Sequence, residues 1–156
     1  MEKNIRIINT PIGTIIAECD CEAIISLDFS DEPCKIENSD HPLLLQLEKE
    51  LSEYFEKKRR IFTLPLAPKG TPFQKRVWET LRTIPYAQTI SYAKEAEIFG
   101  NPKAVRAVAS ANGRNPIAIL IPCHRVIATG GGLGGYSGGL WRKEFLLKLE
   151  KGIVIE

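Results

Sequence analysis

The chain has 156 residues, enough for one ordinary domain or two small ones. With 44% hydrophobic and 26% charged residues it reads as soluble and globular. No apolar run reaches the length of a membrane span, and Met1-Glu2-Lys3-Asn4 lacks the basic start and apolar core of a signal peptide, so a cytosolic location is the default expectation, or a nuclear one in a eukaryote. The net charge of +2 averages two unlike halves. Residues 1–69 hold 9 Lys and Arg against 13 Asp and Glu, and residues 70–156 hold 12 against 6. A basic second half suggests contact with a polyanion; chance segregation of solvated charge gives the same pattern.

Residues 3–8, 12–18 and 22–29 are short and rich in Ile, broken by Thr10-Pro11, Gly13 and Asp20, and read as a strand meander. Asp40 is a candidate cap for a helix opened by His41-Pro42, in which Leu43, Leu44, Leu47, Leu51, Tyr54 and Phe55 recur at helical spacing. The run ends at Lys57-Lys58-Arg59-Arg60, where cations suit a helix C-terminus and could also touch nucleic acid. Residues 61–71, with Pro65, Pro68 and Gly70, read as a linker. The boundary falls near residue 68, giving domains 1–68 and 69–156.

Thr71-Pro72 starts a helix whose apolar face is Phe73, Val77, Trp78, Leu81 and Ile84, ending before Pro85. Ser91 caps a second helix through Phe99, which Gly100 closes; Asn101-Pro102 opens a third, which Gly113 ends. Two short helices across a Gly-Asn-Pro turn have the form of a helix-turn-helix, a form that an ordinary helical hairpin shares. The third helix, Lys103 to Asn112, carries mostly small side chains. It either packs tightly on a neighbour or enters a DNA groove with Arg106 and Ser110 reaching the duplex. Ile117 to Ile121 reads as a buried strand leading into Pro122-Cys123-His124-Arg125-Val126. A glycine-rich loop from Gly130 to Gly139 follows, then a helix from Leu140 to Glu150 with Phe145, Leu146 and Leu149 inward.

Of the four cysteines, Cys19, Cys21 and Cys34 crowd the first third and Cys123 stands alone; a reducing cytosol keeps such thiols free. A cysteine acts as a nucleophile through its thiolate, which needs a nearby cation or base and some access. Cys123 has His124 and Arg125 beside it. Adjacent residues of an extended chain point to opposite faces, so contact between Cys123 and His124 requires a turn or a bridging water. A carboxylate would orient the imidazole, and Glu150 is the best candidate. A zinc site built on Cys123 and His124 lacks a second Cys or His nearby.

Ile121-Pro122-Cys123-His124-Arg125-Val126 resembles the active-site motif of the O6-alkylguanine-DNA alkyltransferases. Ser91-Tyr92, Gly100-Asn101-Pro102-Lys103-Ala104, Arg106-Ala107-Val108, Asn115-Pro116, Tyr136-Ser137-Gly138-Gly139-Leu140 and Lys143-Glu144-Phe145-Leu146-Leu147 with Glu150 fit in order and spacing. The specific part covers about residues 72–151; the N-terminal part is similar in layout. The resemblance implies an α+β fold: a small ribonuclease H-like α/β domain followed by a winged helix-turn-helix domain. It also implies irreversible, single-use transfer of an alkyl group from O6 of guanine, and from O4 of thymine, to Cys123.

The same resemblance implies roles. His124 takes the thiol proton through a water and Glu150 completes the relay. Asn115 braces the active-site turn. Tyr92 donates a hydrogen bond to the leaving guanine and presses on the DNA backbone. Ser137 contacts O6, with Tyr136 and Gly138 beside it in the substrate loop, and the carbonyls of Cys123 and Val126 accept from the guanine amino group. Arg106 fills the gap left by a flipped nucleotide, with Ala107 and Ser110 also at the DNA. The implied partner is double-stranded DNA carrying O6-alkylguanine, met in the minor groove by a monomer, with no cofactor, no metal and no membrane.

Two departures stand out. Asn112 and Ala118 occupy positions near the pocket where some relatives carry Met and Pro. Some relatives also hold a structural zinc in the N-terminal domain; Cys19, Cys21, Cys34 and His41 do not match that pattern, and a zinc-free domain is expected. Two other readings remain at this stage. Alkyltransferase-like lesion-binding proteins keep the fold without the acceptor cysteine, which Cys123 argues against. A turnover cysteine hydrolase could use loop amides as an oxyanion hole, but leaves the helix-turn-helix and Arg106 unexplained.

Overall fold

A computed structural model describes residues 4–32 and 36–152. The fold is α+β and falls into two compact units, Met1–Lys69 and Gly70–Glu156, one residue beyond the boundary expected from sequence. No helix among the described residues is long and apolar enough to cross a membrane.

In the first unit, β1 (Asn4–Thr10), β2 (Gly13–Cys19) and β3 (Ile24–Ser30) form an antiparallel meander in the order β1-β2-β3. Helix α1 (Pro42–Phe55) packs on β1 and β2 and buries Leu44, Leu47, Leu51 and Tyr54. Its cap is His41 rather than the expected Asp40: His41 Nδ1 accepts from Leu43 N–H at 3.1 Å, whereas Asp40 is drawn to Arg6 of β1 at 3.2 Å. The helix ends before the basic run, and Lys57 turns the chain with φ +64°. The expected linker is partly tied down. Ile24 N–H donates to the Pro65 carbonyl at 2.9 Å, and Ala67 N–H to the Ile24 carbonyl at 2.8 Å. Cys19 is buried in β2, Cys21 is exposed, and Cys34 lies outside the described residues.

The second unit opens with α2 (Pro72–Leu81). Thr71 and Gln74 form a reciprocal capping box, with Pro72 in the first turn. A two-residue strand, β4 (Ile90–Ser91), leads into α3 (Tyr92–Phe99), capped by the Ser91 side chain on Lys94 N–H at 3.0 Å. Gly100 stops α3 in the left-handed conformation at φ +108°, which costs glycine nothing sterically. The expected third helix is split: Pro102–Ala104 is a 3-10 turn capped by Asn101, and α4 runs Val105–Gly113. Helices α2, α3 and α4 pack on one another, and Trp78 Nε1 donates to the Ala111 carbonyl at 2.9 Å inside that core.

The expected strand at 117–121 does not form. Ile117, Ile119, Leu120 and Ile121 are buried, but as a run of turns with Ile119 at φ +70°. Leu120 N–H donates to the Ala118 carbonyl at 2.8 Å and Ile121 N–H to the Ile117 carbonyl at 3.1 Å. Pro116 and Pro122 bracket the segment and cannot donate to a sheet ladder. Cys123 therefore opens a 3-10 turn, Cys123–Arg125, rather than ending a strand. The chain then enters β5 (Val126–Ile127), which pairs in parallel with β4, and after the glycine loop α5 (Leu140–Lys151) completes the unit.

Thr71→Ala removes the hydroxyl half of the capping box. Denaturant unfolding should show a loss of about 1 kcal/mol, the usual cost of such a cap; an unchanged midpoint would show that packing alone holds the start of α2.

Candidate active site

Cys123 is buried, 8% exposed, at the first position of its 3-10 turn. The turn is braced by Asn115, whose Nδ2 donates to the Ile121 carbonyl at 2.8 Å and lies 3.3 Å from Cys123 Sγ, while its Oδ1 accepts from Ile117 N–H at 3.0 Å. One carboxamide thus supplies partners that a neighbouring strand would otherwise provide.

Helix α5 returns Glu150 to the same turn. Its Oε2 lies 2.6 Å from His124 Nε2, and both side chains are excluded from solvent. Arg125 closes on the same carboxylate through Nε at 2.8 Å and Nη2 at 3.0 Å, and its Nη1 donates to the Ile84 carbonyl at 2.8 Å. Ala87 N–H adds a bond to Oε1 at 3.1 Å. Burial alone would raise the Glu150 pKa; the hydrogen bonds from His124 and Arg125 and the Arg125 charge outweigh it and hold the carboxyl well below the usual range. Burial pushes His124 below its ordinary value despite Glu150, so its resting form is the neutral imidazole. With Glu150 ionised, Nε2 carries the hydrogen and donates, which makes Nδ1 the basic nitrogen. Nδ1 is buried and has no protein hydrogen-bond partner.

A cavity of about 330 Å³ opens at Cys123, lined by Tyr92, Ala109, Asn112, Gly113, Cys123, Gly135, Tyr136 and Ser137. Burial raises the Cys123 pKa, so the thiol keeps its proton until a base removes it. Burial also raises Tyr92, whose phenol is a hydrogen-bond donor at neutral pH and accepts from Gly135 N–H at 3.3 Å. The glycine loop runs so close to this ring that a Cβ on Gly134 would stand 2.7 Å from Tyr92 Oη, and its φ of +73° independently demands glycine.

The expected site residues thus fall into three groups. Cys123, Tyr92, Tyr136 and Ser137 share the cavity; Asn115, His124 and Glu150 stand behind it. Arg106, Ala107 and Ser110 lie exposed on α4, opposite the buried Val108, Ala111 and Asn112. Gly138 is at the loop's exit, its carbonyl accepting from Arg142 at 2.9 Å. The carbonyls expected to meet a guanine amino group each carry one internal bond: Cys123 O accepts from Val126 N–H, and Val126 O accepts from Lys143 Nζ at 2.6 Å.

Lys143 was not singled out by sequence. It is fully buried, and its ammonium also donates to the Gly135 carbonyl at 3.0 Å, tying the loop to β5. A signal existed: positions 143, 146 and 150 share one face of α5, so the expected inward Glu150 carries Lys143 with it. Phe145, expected inward, is only half-buried. Arg125, read as a cation beside the thiol, spends its guanidinium on Glu150 instead.

Family comparison agrees with this geometry. Residues 72–152 match the 6-O-methylguanine DNA methyltransferase DNA-binding domain, and residues 5–68 match that family's ribonuclease-like domain. The methylated-DNA–protein-cysteine methyltransferase of Methanosarcina acetivorans is 46% identical, covering 92% of this chain and 96% of its own. This chain belongs to the methylated-DNA–protein-cysteine methyltransferase family. The constitutive methyltransferase of Bacillus subtilis is 43% identical over 91% of this chain and 92% of its own. Among solved structures, the Mycobacterium tuberculosis O6-methylguanine methyltransferase superposes with a TM-score of 0.87 at 39% identity, covering 99% of this chain and 96% of that one. A structure of the same mycobacterial protein in complex with DNA matches with a TM-score of 0.87 at 41% identity, covering 95% and 92%.

The buried His124–Glu150 pair makes the stability of the fold acid-sensitive. Glu150 has a folded pKa below its unfolded value, so its contribution is present above about pH 4.3 and is lost as pH falls. His124 is also lowered in the fold, so below about pH 6.5 the unfolded chain takes up a proton that the folded chain resists. Between about pH 6.5 and 4.3 the buried acid Glu95, whose folded pKa is raised, opposes the His124 effect, so the clean test is the fall of the urea midpoint below about pH 4.3, which Glu150→Gln should flatten. A wild-type fall below about pH 4.3 no steeper than that of Glu150→Gln would show that the carboxyl is not held as described.

Proposed function

We propose that the protein repairs alkylated DNA by transferring the alkyl group from O6 of guanine, and from O4 of thymine, onto Cys123. The observation that carries this is a buried thiol at the floor of a cavity, backed by a neutral histidine whose outer nitrogen is fixed by Glu150. The thiol proton passes through a water to His124 Nδ1, and the imidazolium is stabilised by Glu150. The thiolate attacks the alkyl carbon, a C–S bond forms, the C–O6 bond breaks, and its electron pair goes to the guanine. Tyr92, kept protonated by burial, donates the hydrogen bond that improves this leaving group. The thioether is stable and nothing in the site restores the thiol, so each molecule acts once.

A base within a duplex cannot reach a buried thiol, so the nucleotide is flipped out at a cost of a few kcal/mol. The small side chains of α4 let its backbone approach the minor groove, and Arg106, exposed on that helix, takes the vacated place in the stack. The protein works as a monomer, in the cytosol or, in a eukaryote, the nucleus. A lesion-binding role without transfer would leave the Cys123 site without a purpose.

Intact-protein mass spectrometry after mixing with excess O6-methylguanine duplex should show a single added methyl, located to Cys123 by fragmentation. Cys123→Ala should bind the duplex and gain no methyl. Binding without any adduct on the wild type would move the assignment to a lesion-binding protein. Arg106→Ala should slow reaction with duplex substrate by an order of magnitude or more while leaving reaction with free O6-benzylguanine within a few-fold; equal losses on both would remove Arg106 from the flipping step.

A further inference from the structure

One buried acid has no part in the transfer just described. Glu95, on α3, is fully buried, and its Oε1 accepts from Asn112 Nδ2 at 2.7 Å. Its Oε2 is buried without a hydrogen-bond partner, and so is Asn112 Oδ1. A carboxylate facing a carboxamide leaves both of these acceptors unmatched, since neither oxygen carries a hydrogen. A single proton on the carboxyl resolves both. A carboxylic acid and a primary amide can each donate once and accept once, closing a cyclic pair. Asn112 also lines the cavity that holds Cys123 and Tyr92, so one member of this pair stands in the cavity wall and holds the other by a hydrogen bond.

We propose that Glu95 is a positioning residue. As a neutral acid paired with Asn112 it fixes that amide against the alkyl pocket and keeps negative charge away from Cys123, and its ionisation slows the transfer. The surroundings favour the neutral form. Burial pushes the Glu95 pKa up to about 7, outweighing the opposing effects of Asn112 and Lys143. The groups that face it are few. Helix α5 contributes Lys143, whose ammonium is already committed to two backbone carbonyls. The 3-10 turn contributes Cys123, and α3 itself contributes Tyr92. Helix α4 presents the neutral Asn112, the residues α2 buries (Val77, Trp78 and Leu81) are apolar, and Pro102–Ala104 buries none. The sign is definite: a Glu95 carboxylate raises the Cys123 thiol further, so the thiolate becomes harder to form once Glu95 has lost its proton.

The kinetic half of this proposal rests on the transfer reading; the protonation half does not, and two measurements separate them. Infrared difference spectra between about pH 6 and about pH 8.5 should show the carbonyl stretch of a buried carboxylic acid disappear as pH rises. Glu95→Gln, which keeps the size and offers an N–H to Asn112 but cannot ionise, should lack the band. No such band in the wild type at the lower pH overturns the proposal. The rate of alkyl transfer in Glu95→Gln relative to wild type should be near unity at the lower pH and rise a few-fold to about tenfold at the higher one, the size of a partly screened buried charge. A ratio that does not change with pH overturns the proposal, and a purely structural role for Glu95 would give that result. If Glu95→Gln does not fold, the double variant Glu95→Leu/Asn112→Leu replaces both partners by apolar groups and serves as the reference without the band. A band that titrates in a protein that accepts no methyl from DNA would indict the functional reading and leave the acid–amide pair standing.

Discussion

An ionised carboxylate enclosed by protein is costly unless it is paired, and three separate stretches of chain meet that demand at Glu150. Helix α5 carries it, the 3-10 turn supplies His124 and Arg125, and the loop after α2 supplies both the Ile84 carbonyl that steadies Arg125 and the Ala87 amide. Removing the carboxyl would leave a buried guanidinium without its counter-charge. The reactive turn and the last helix are consequently locked together by the group that sets the histidine's tautomer. Structural integrity and proton-transfer chemistry are therefore not separable in this unit.

The same enclosure keeps the reactive groups quiet. Desolvation raises both Cys123 and Tyr92, so the first rests as a thiol and the second as a phenol. Neither form is the product of a nearby cation; Lys143, the closest candidate, is held by the Val126 and Gly135 carbonyls. Under the proposed transfer, reactivity then depends on a base that removes the thiol proton. A protein that acts once, as proposed, gains from a thiol that does not react with whatever electrophile reaches the surface.

Much of this was legible in the sequence where a local rule has a local cause. The caps at Thr71, Ser91 and Asn101 and the stop at Gly100 lie where side-chain oxygens and a left-handed glycine require them. Asp40 misled because a remote partner, Arg6, competes for it, and sequence spacing does not reveal remote partners. Ile117 to Ile121 misled because an apolar run reports burial and leaves backbone conformation open. There the deciding facts are two flanking prolines and the carboxamide of Asn115, which together make turns cheaper than a strand. Three charged residues were missed or misassigned: Lys143 and Glu95 were passed over because charged residues are read as surface unless a partner is in view, and Arg125 was assigned to the thiol instead of to Glu150. Of the three, Lys143 could have been found from its helical phase with Glu150, whereas Glu95 becomes visible only when Asn112 is placed beside it.

Four polar side chains of this unit share one habit: they hold main-chain oxygens. Lys143 grips those of Val126 and Gly135, Arg125 that of Ile84, Arg142 that of Gly138, and Asn115 that of Ile121. Any amino acid supplies a carbonyl, so the dependence runs in one direction. The donors are irreplaceable by chemistry, while the acceptor positions answer only to their own packing and backbone angles. The site's tolerance of mutation is therefore lopsided, and its evolutionary freedom lies on the side of the bond that gives no hydrogen.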